Sequence, residues 1–274
     1  MLSALMEETY RKYFASSHTG KQPCGGDLSG CVECHINSYP CCHDGSLYEC
    51  DNYARVYILR YVAAHVRMAQ YPLVHNLELA RVIRDRERVS MVSLGGAYGN
   101  ETFALADFAH REKLGTKLIA TSIDKSTVWR PYHDWMIRRY LELSAMRTVD
   151  ARFLQADVTK KTNTPLADIV YVPWILSEHS VSSSRREILQ NALSMVADGG
   201  FVIVMDRVET ALFQEIDGIL SEFKSVEVVD RKDYVWMRTD IAVPDYVKKE
   251  CGPKLSYRTR YRIIRKAHRG GSDR

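Results

Sequence analysis

The sequence predicts an α/β fold on a mostly parallel sheet, with a helical and cysteine-rich extension ahead of it. Three observations carry that reading. Apolar strands alternate with helix-period segments from Val89 to Asp206, which is how a parallel sheet with crossover helices is written in sequence. A glycine-rich turn, SLGGAYGNE, joins the first strand to the helix after it. Six of the seven cysteines crowd between Cys24 and Cys50, before the alternation begins. The 274 residues, 46% hydrophobic and 26% charged, suffice for one large domain plus an accessory element and exclude a disordered or fibrous chain. No apolar run reaches the length of about 18 residues that spans a membrane, and the opening MLSALMEETYRKYF mixes acids and bases among its apolar positions. An intracellular protein, cytoplasmic or nuclear and without a membrane partner, is therefore expected.

In chain order, residues 1–16 carry apolar positions at helical spacing and predict a first helix, stopped by the polar stretch SSHTGKQPCGG. The cysteine segment follows as loop. YARVYILRYVAAHVRMAQ reads as a long helix from Tyr53 to about Gln70, with Pro72 marking its end. ELARVIRDRE is a second helix leading into the strand VSMVSL. Next come a helix from about Asn100 to His110, the strand KLIATSID, a helix through WRPYHDWMIRRYLELSAM and the strands RFLQAD and ADIVYVPW. SRREILQNALSMVA places Ile188, Leu189, Ala192, Leu193 and Val196 on one helix face, stops at Asp198-Gly199-Gly200 and hands over to the strand FVIVMD. Past a helix around LFQEIDGILSEF, the strands SVEVVDRKDYVW and SYRTRYRII lack a crossover long enough for parallel neighbours, so an antiparallel pair is expected to close the sheet. The predicted organisation is N-terminal helices with the cysteine segment (1–76, cysteines within 24–50), the α/β domain (77–267) and a flexible basic tail (268–274).

A glycine turn between strand and helix lets a ligand approach the backbone, and helix N-terminal amides favour polar or anionic groups there. Acids at the next two strand ends sharpen that signal. Asp124 ends the second strand, where a carboxylate can accept both hydroxyls of a ribose; Asp157 ends the third, where it can accept from an exocyclic amine. Both also fit loop-capping aspartates.

On these parts, and on the join MVADGGFVIVMD before the fifth strand, the chain from about Ser90 to Arg207 resembles the class I (Rossmann-like) S-adenosylmethionine-dependent methyltransferase superfamily. The terminal strand pair extends the likeness to about Lys266. The resemblance implies a seven-stranded sheet whose last strand inserts antiparallel, with S-adenosylmethionine across the carboxyl ends of the first strands. Gly95, Gly96 and Gly99 would line its methionine and ribose, Asp124 would take the ribose hydroxyls, Asp157 the adenine, and Val158 and Pro173 would flank the site. Ser93 departs from the acid the family usually carries, and Ala97 from its middle glycine; Glu101, at the helix start, is the candidate to supply the carboxylate instead.

Methyl transfer is an in-line displacement from a sulfonium, for which a protein positions the nucleophile and, for some acceptors, removes a proton. In the family the loop after the fourth strand, here Pro173 to His179, faces the methyl. Trp174 is the candidate to stack a substrate base, and Glu178 or His179 to accept a proton; a partly buried aromatic and a solvated helix start are the plainer accounts of the same residues. Methyltransferases of base amino groups often carry Asn or Asp, then Pro-Pro and an aromatic, at this place. Val172-Pro173-Trp174 does not match, and no cysteine stands there for a thiolate mechanism.

Cys24, Cys31, Cys34, Cys41, Cys42 and Cys50, with His35 and His43 among them, are too dense to be incidental. Inside a cell, metal ligation is favoured over disulfides. Cys31 and Cys34 form the close pair that offers two thiolates to zinc from one turn, and Cys24, Cys41, Cys42, His43 and Cys50 are candidates for the rest. One tetrahedral zinc is the first choice; two zincs or an iron-sulfur cluster are alternatives, and three disulfides would follow from secretion. CVECH also matches haem attachment, which requires export. The segment is expected to pin the N-terminal extension over the cofactor cleft or to shape a surface for substrate or a protein partner.

Charge is uneven along the chain. Residues 248–274 hold ten Lys or Arg against two acids, leaving 28 bases against 32 acids in residues 1–247. In SYRTRYRII, strand geometry puts Arg258, Arg260 and Arg262 on one face, a row able to bind RNA phosphates or, more plainly, to cover the sheet and meet acids such as Glu215 and Asp217. The expected function is a methyltransferase acting on RNA or a ribonucleoprotein. A non-catalytic methyltransferase-like binding subunit, or a protein or small-molecule methyltransferase, is the alternative.

Overall fold

The computed structural model describes residues 1–13, 46–144 and 148–267. Its seven strands form one sheet in the order β3-β2-β1-β4-β5-β7-β6. These are β1 (Arg88–Leu94), β2 (Lys117–Asp124), β3 (Val149–Gln155), β4 (Ala167–Pro173), β5 (Val196–Asp206), β6 (Val226–Arg238) and β7 (Ser256–Lys266). The first five pair in parallel, and β7 inserts antiparallel between β5 and β6, as the resemblance implies.

Helices cover both faces, which is why most residues of β1 and β4, and β5 from Gly200 on, are buried on both sides of the strand. On one face lie α1 (Leu2–Tyr13), α2 (Asp51–His75), α3 (Leu77–Arg84), α4 (Asn100–Arg111), α5 (Trp129–Ser144) and α8 (Asp245–Cys251), sharing one core. On the other, α6 (Ser182–Met195) and α7 (Thr210–Ser221) bury Ile188, Leu189, Phe213 and Ile216 against the sheet. No helix among the described residues is long and apolar enough to cross a membrane.

Three elements depart from expectation. Pro72 lies inside α2, which runs on to His75. A proline in a last turn removes only one helical bond, and Pro72 and Leu73 are both buried. Val196 opens β5 and does not continue the α6 face; Asp198-Gly199-Gly200 forms an irregularity within the strand, opposite Ala167 and Ile169. A Cβ at Gly200 would come within 2.7 Å of the Asp168 carbonyl, so the close approach needs glycine. Finally, α8 has no counterpart in the sequence prediction; Pro244 opens it and Gly252, at φ 53°, closes it.

Cys24, Cys31, Cys34, Cys41, Cys42 and His43 lie outside the described residues, as does the tail from 268. Cys50 stands half-buried just before α2. Among the described residues no group of three His, Cys, Asp or Glu is arranged to hold a metal ion.

Candidate active site

At the carboxyl ends of β1, β2 and β4 a cavity of about 370 Å³ opens. The glycine turn forms one wall. Gly95, at φ 74°, donates its N–H to the Ile123 carbonyl at 2.8 Å, and Gly96 donates to the same oxygen at 3.2 Å. Ala97 is held at φ 39°, and its N–H points to Asp124 Oδ2 at 3.3 Å. The Ser126 N–H donates to Asp124 Oδ1 at 3.0 Å. Enclosure by protein pushes the Asp124 carboxyl up to about 6, against the pull of those amides, and Glu49 adds to the rise.

The carboxylate missing from position 93 is recovered in the first turn of α4. Ser93 donates its hydroxyl to Glu101 Oε2 at 2.9 Å. Glu101 is 1% exposed and lines the cavity, and its Oε1 has no hydrogen-bond partner among the described residues. Burial pushes this carboxyl up to about 7, although its own amide and the Ser93 hydroxyl pull downward.

The other wall comes from β3, β4 and the loop after β4. Asp157 accepts from the Thr159 N–H at 3.0 Å and hydroxyl at 2.7 Å; burial raises its carboxyl, but those bonds and nearby Lys160 prevail and the net shift is downward. Val158 and Pro173 line the cavity beside it. Trp174 takes a left-handed backbone, φ 49°, donates its N–H to the Met205 carbonyl at 2.7 Å, and leaves its buried indole Nε1 without a partner among the described residues. Its ring stacks on His65 at 3.9 Å and 14°. Glu178 Oε1 accepts from Arg207 Nη2 at 2.7 Å; burial still pushes its carboxyl up to about 7, with Asp206 and Glu209 adding to it against Arg207. Burial lowers His179.

Thus the cavity brings together Gly95, Ala97, Glu101, Asp124, Asp157, Val158, Pro173, Trp174, Glu178 and His179. Gly96 and Gly99 do not line it. A Cβ on Gly96 would meet Ser93 at 2.9 Å, and Gly99, at φ 94°, starts α4. The arginines of β7 share a face but not a role. Arg262 is 3% exposed and donates to Asp217 at 2.8 and 2.9 Å and to Asp233 at 2.9 Å. Arg260 donates to the Thr210 hydroxyl and leans over Phe213. Only Arg258 of the three is exposed, so the expected row of phosphate-binding arginines shrinks to one.

No protein-family model and no curated protein matches the sequence. Solved structures do match in shape. A proposed RNA methyltransferase of Pyrococcus horikoshii superposes with a TM-score of 0.50 at 12% identity, over 75% of this chain and 83% of its own. A proposed class I S-adenosylmethionine-dependent methyltransferase of Listeria monocytogenes also gives 0.50, at 11% identity over 74% of this chain and 61% of its own. This chain thus spans about three fifths of the Listeria protein. The chain has the class I methyltransferase fold.

Beyond the sheet of that methyltransferase fold, α2 supplies cavity residues the sequence analysis does not single out. Tyr53, Tyr57, Tyr61 and His65 recur at every fourth position, a spacing that stacks side chains on one helix face. Tyr57 and His65 reach the cavity, where Trp129 lies 5.6 Å from Tyr57 and Asn100 Nδ2 lies 3.5 Å from His65 Nδ1. The fourfold aromatic spacing is the visible signal for this face. Tyr48, Glu49, Asn100 and Trp129 carry none, because only tertiary packing brings them to the cavity.

Proposed function

We propose that the protein is an S-adenosylmethionine-dependent methyltransferase acting on RNA or a ribonucleoprotein. The observation that carries this reading is one cavity joining the glycine turn, the amide-held Asp124 carboxylate and the unmade hydrogen bond of Glu101. These residues fit the cofactor. Asp124 would accept from the ribose hydroxyls, Asp157 and Val158 would meet the adenine, and Glu101 Oε1 would take the methionine ammonium. The missing Cβ of Gly95, which would stand 2.6 Å from Ile175, leaves backbone within reach of a ligand. When bound, S-adenosylmethionine supplies an electrophilic methyl on a sulfonium. Glu178, whose carboxyl lies near neutrality, would accept the proton the acceptor gives up, and Trp174 would offer its indole N–H to hold that acceptor.

The basic C-terminal region supports an RNA substrate. The cysteine segment is proposed to hold one zinc and to brace the cavity, because two residues at its end stand in the wall: Tyr48 and Glu49 line the cavity, and the Tyr48 carbonyl accepts from the Ser126 hydroxyl at 3.0 Å. A protein partner on this extension and an intracellular location belong to the same proposal.

Calorimetry with S-adenosylmethionine tests the reading. Asp124→Ala is expected to weaken binding about 100-fold, the worth of two lost charge-assisted hydrogen bonds, without lowering the melting temperature. Unchanged affinity would remove Asp124 from the site. No binding by the wild type would favour the non-catalytic subunit. Metal analysis should find about one zinc per chain; metal-free, folded protein would dismiss the zinc.

A further inference from the structure

The carboxyl edge of the sheet is uneven. β5 stops at Asp206, opposite Arg260, so Tyr257, Arg258 and Thr259 of β7 overhang it. β6 runs alongside, with Val235 opposite Thr259 and Trp236 opposite Arg258. This overhang has two unlike faces. Val235, Met237 and Tyr257 turn toward the core on the α2 side. Tyr257 lies 5.5 Å from the His65 ring and 6.2 Å from Trp174, both in the cavity wall.

Strand alternation turns Trp236 and Arg238 the opposite way, the register sets Arg258 beside Trp236, and Tyr234 stands just before them in the irregularity between Lys232 and Val235. There they meet solvent: Tyr234 is 57% and Trp236 55% exposed, and both arginines are exposed. Neither arginine has a carboxylate partner among the described residues, since Asp233 is taken by Arg262 and Glu227 by Arg265. Two bare aromatic rings near a sheet edge are a liability unless something binds them.

The chemistry of this face selects its occupant. Rings two residues apart on a strand stand about 7 Å from each other, room for two unstacked bases, while the cations between and beside them can follow a phosphate chain. A duplex hides the faces of its bases, and an apolar protein surface would leave both arginines unpaired. We propose that the outer face of the β6–β7 overhang, formed by Tyr234, Trp236, Arg238 and Arg258, binds single-stranded RNA and delivers it to the cavity on the other side of the same strands. The substrate class rests on the RNA reading above; the placement rests on this face alone.

Fluorescence anisotropy of a labelled oligouridylate about 12 nucleotides long, titrated with the full-length protein from about 50 to 200 mM salt, tests it. The wild type should bind with strong salt dependence. Trp236→Ala should weaken binding about tenfold or more, as loss of one stacked base does, and Arg258→Ala and Arg238→Ala should each lower the salt slope by about one. Arg186→Ala, which removes a partner of Glu222 elsewhere on the surface, should change nothing. Because Trp236 is exposed, its variant should melt with the wild type, and calorimetry should show S-adenosylmethionine binding intact. No binding of the oligonucleotide, or binding indifferent to Trp236→Ala and Arg258→Ala, overturns the strip. So does a wild-type dimer that Trp236→Ala splits in light scattering, which would make the face a contact between copies of the chain. Protein that binds the oligonucleotide but not S-adenosylmethionine sinks the methyltransferase reading and spares the strip; the reverse sinks only the strip.

Discussion

The two walls of the cavity hold their acids by different means. On the glycine-turn wall, Asp124 and Glu101 are enclosed with main-chain amides and a serine hydroxyl for partners and, among the described residues, no ion pair. On the facing wall Glu178 is already bridged to Arg207, and the ring pair His65–Trp174 fills the space beside it. Glu101 and Glu178 are both pushed up to about 7, yet of the two only Glu101 has a fully buried oxygen without a partner among the described residues. Equal shifts therefore conceal unequal hydrogen bonding. The first wall holds carboxylates to which the ammonium and sulfonium of S-adenosylmethionine would bring a positive charge; in the second, the buried nitrogens Trp174 Nε1 and His65 Nε2 have no partner among the described residues. This asymmetry orients the proposed cofactor with its charged end toward α4 and leaves the Trp174 side to the acceptor.

The largest effect that sharpens this contrast is expected from Glu101→Gln. A carboxyl raised by burial stabilises the fold while protonated, fully below its ordinary value near 4.5, and loses that contribution as pH rises through about 7. At pH 8 the variant should therefore be more stable than the wild type by about 3 kcal/mol, the equivalent of the shift at about 1.4 kcal/mol per unit, with the difference gone at pH 4. Urea denaturation at both pH values measures it. The same variant should bind S-adenosylmethionine at least tenfold more weakly at pH 8, since the ammonium loses its charged partner. A variant with wild-type stability at pH 8 would mean that Glu101 carries no burial penalty.

Wild-type affinity carries the next effect. Asp124 titrates near 6 and Glu101 near 7, and both accept hydrogen bonds best as carboxylates. Affinity for S-adenosylmethionine should rise about tenfold between pH 6 and pH 8, and Glu101→Gln should leave only the step near 6. A flat profile would erase the distinction between the walls.

Trp174→Phe probes the second wall with a smaller change. It keeps a ring against His65 and removes the unpartnered N–H, whose burial costs on the order of 1 kcal/mol. Stability should hold or rise slightly and cofactor affinity should stay within about twofold, while radiolabelled methyl transfer to total RNA falls about tenfold, the worth of one good hydrogen bond. Loss of cofactor affinity instead would assign Trp174 to the first wall.

Part of this contrast is legible in the sequence. Gly95, Asp124 and Asp157 follow apolar strands, and parallel strands bring whatever follows their ends to one edge, so period and punctuation suffice. Glu101 is half legible: the acid absent at Ser93 is plain, but that a side chain eight positions on returns to the same point depends on the Ala97 turn. Arg262 illustrates the opposite limit. Its partner Asp217, 45 positions away on α7, is among the acids expected to meet the β7 row, but Asp233, 29 positions away, is brought to it by a sheet register that shifts twice along β6, which no local pattern encodes. Likewise Gly199-Gly200 reads equally well as a helix stop and as a strand irregularity, because either structure needs glycine.

The smallest effect concerns Ala97, where the turn meets Asp124. A non-glycine residue at φ 39° costs about 1 to 2 kcal/mol in left-handed backbone strain, whereas a glycine there would give back about 0.5 to 1 kcal/mol through greater freedom of the unfolded chain. The two nearly cancel, so Ala97→Gly should stabilise by about 0.5 kcal/mol and raise the melting temperature by about 1 to 2 °C. The N–H that faces Asp124 is a main-chain group and survives the change, so cofactor affinity should move less than about twofold. A drop in melting temperature would show that the alanine methyl supports the turn instead of straining it, and would make the first wall's rigidity a property of its side chains as well as of its backbone.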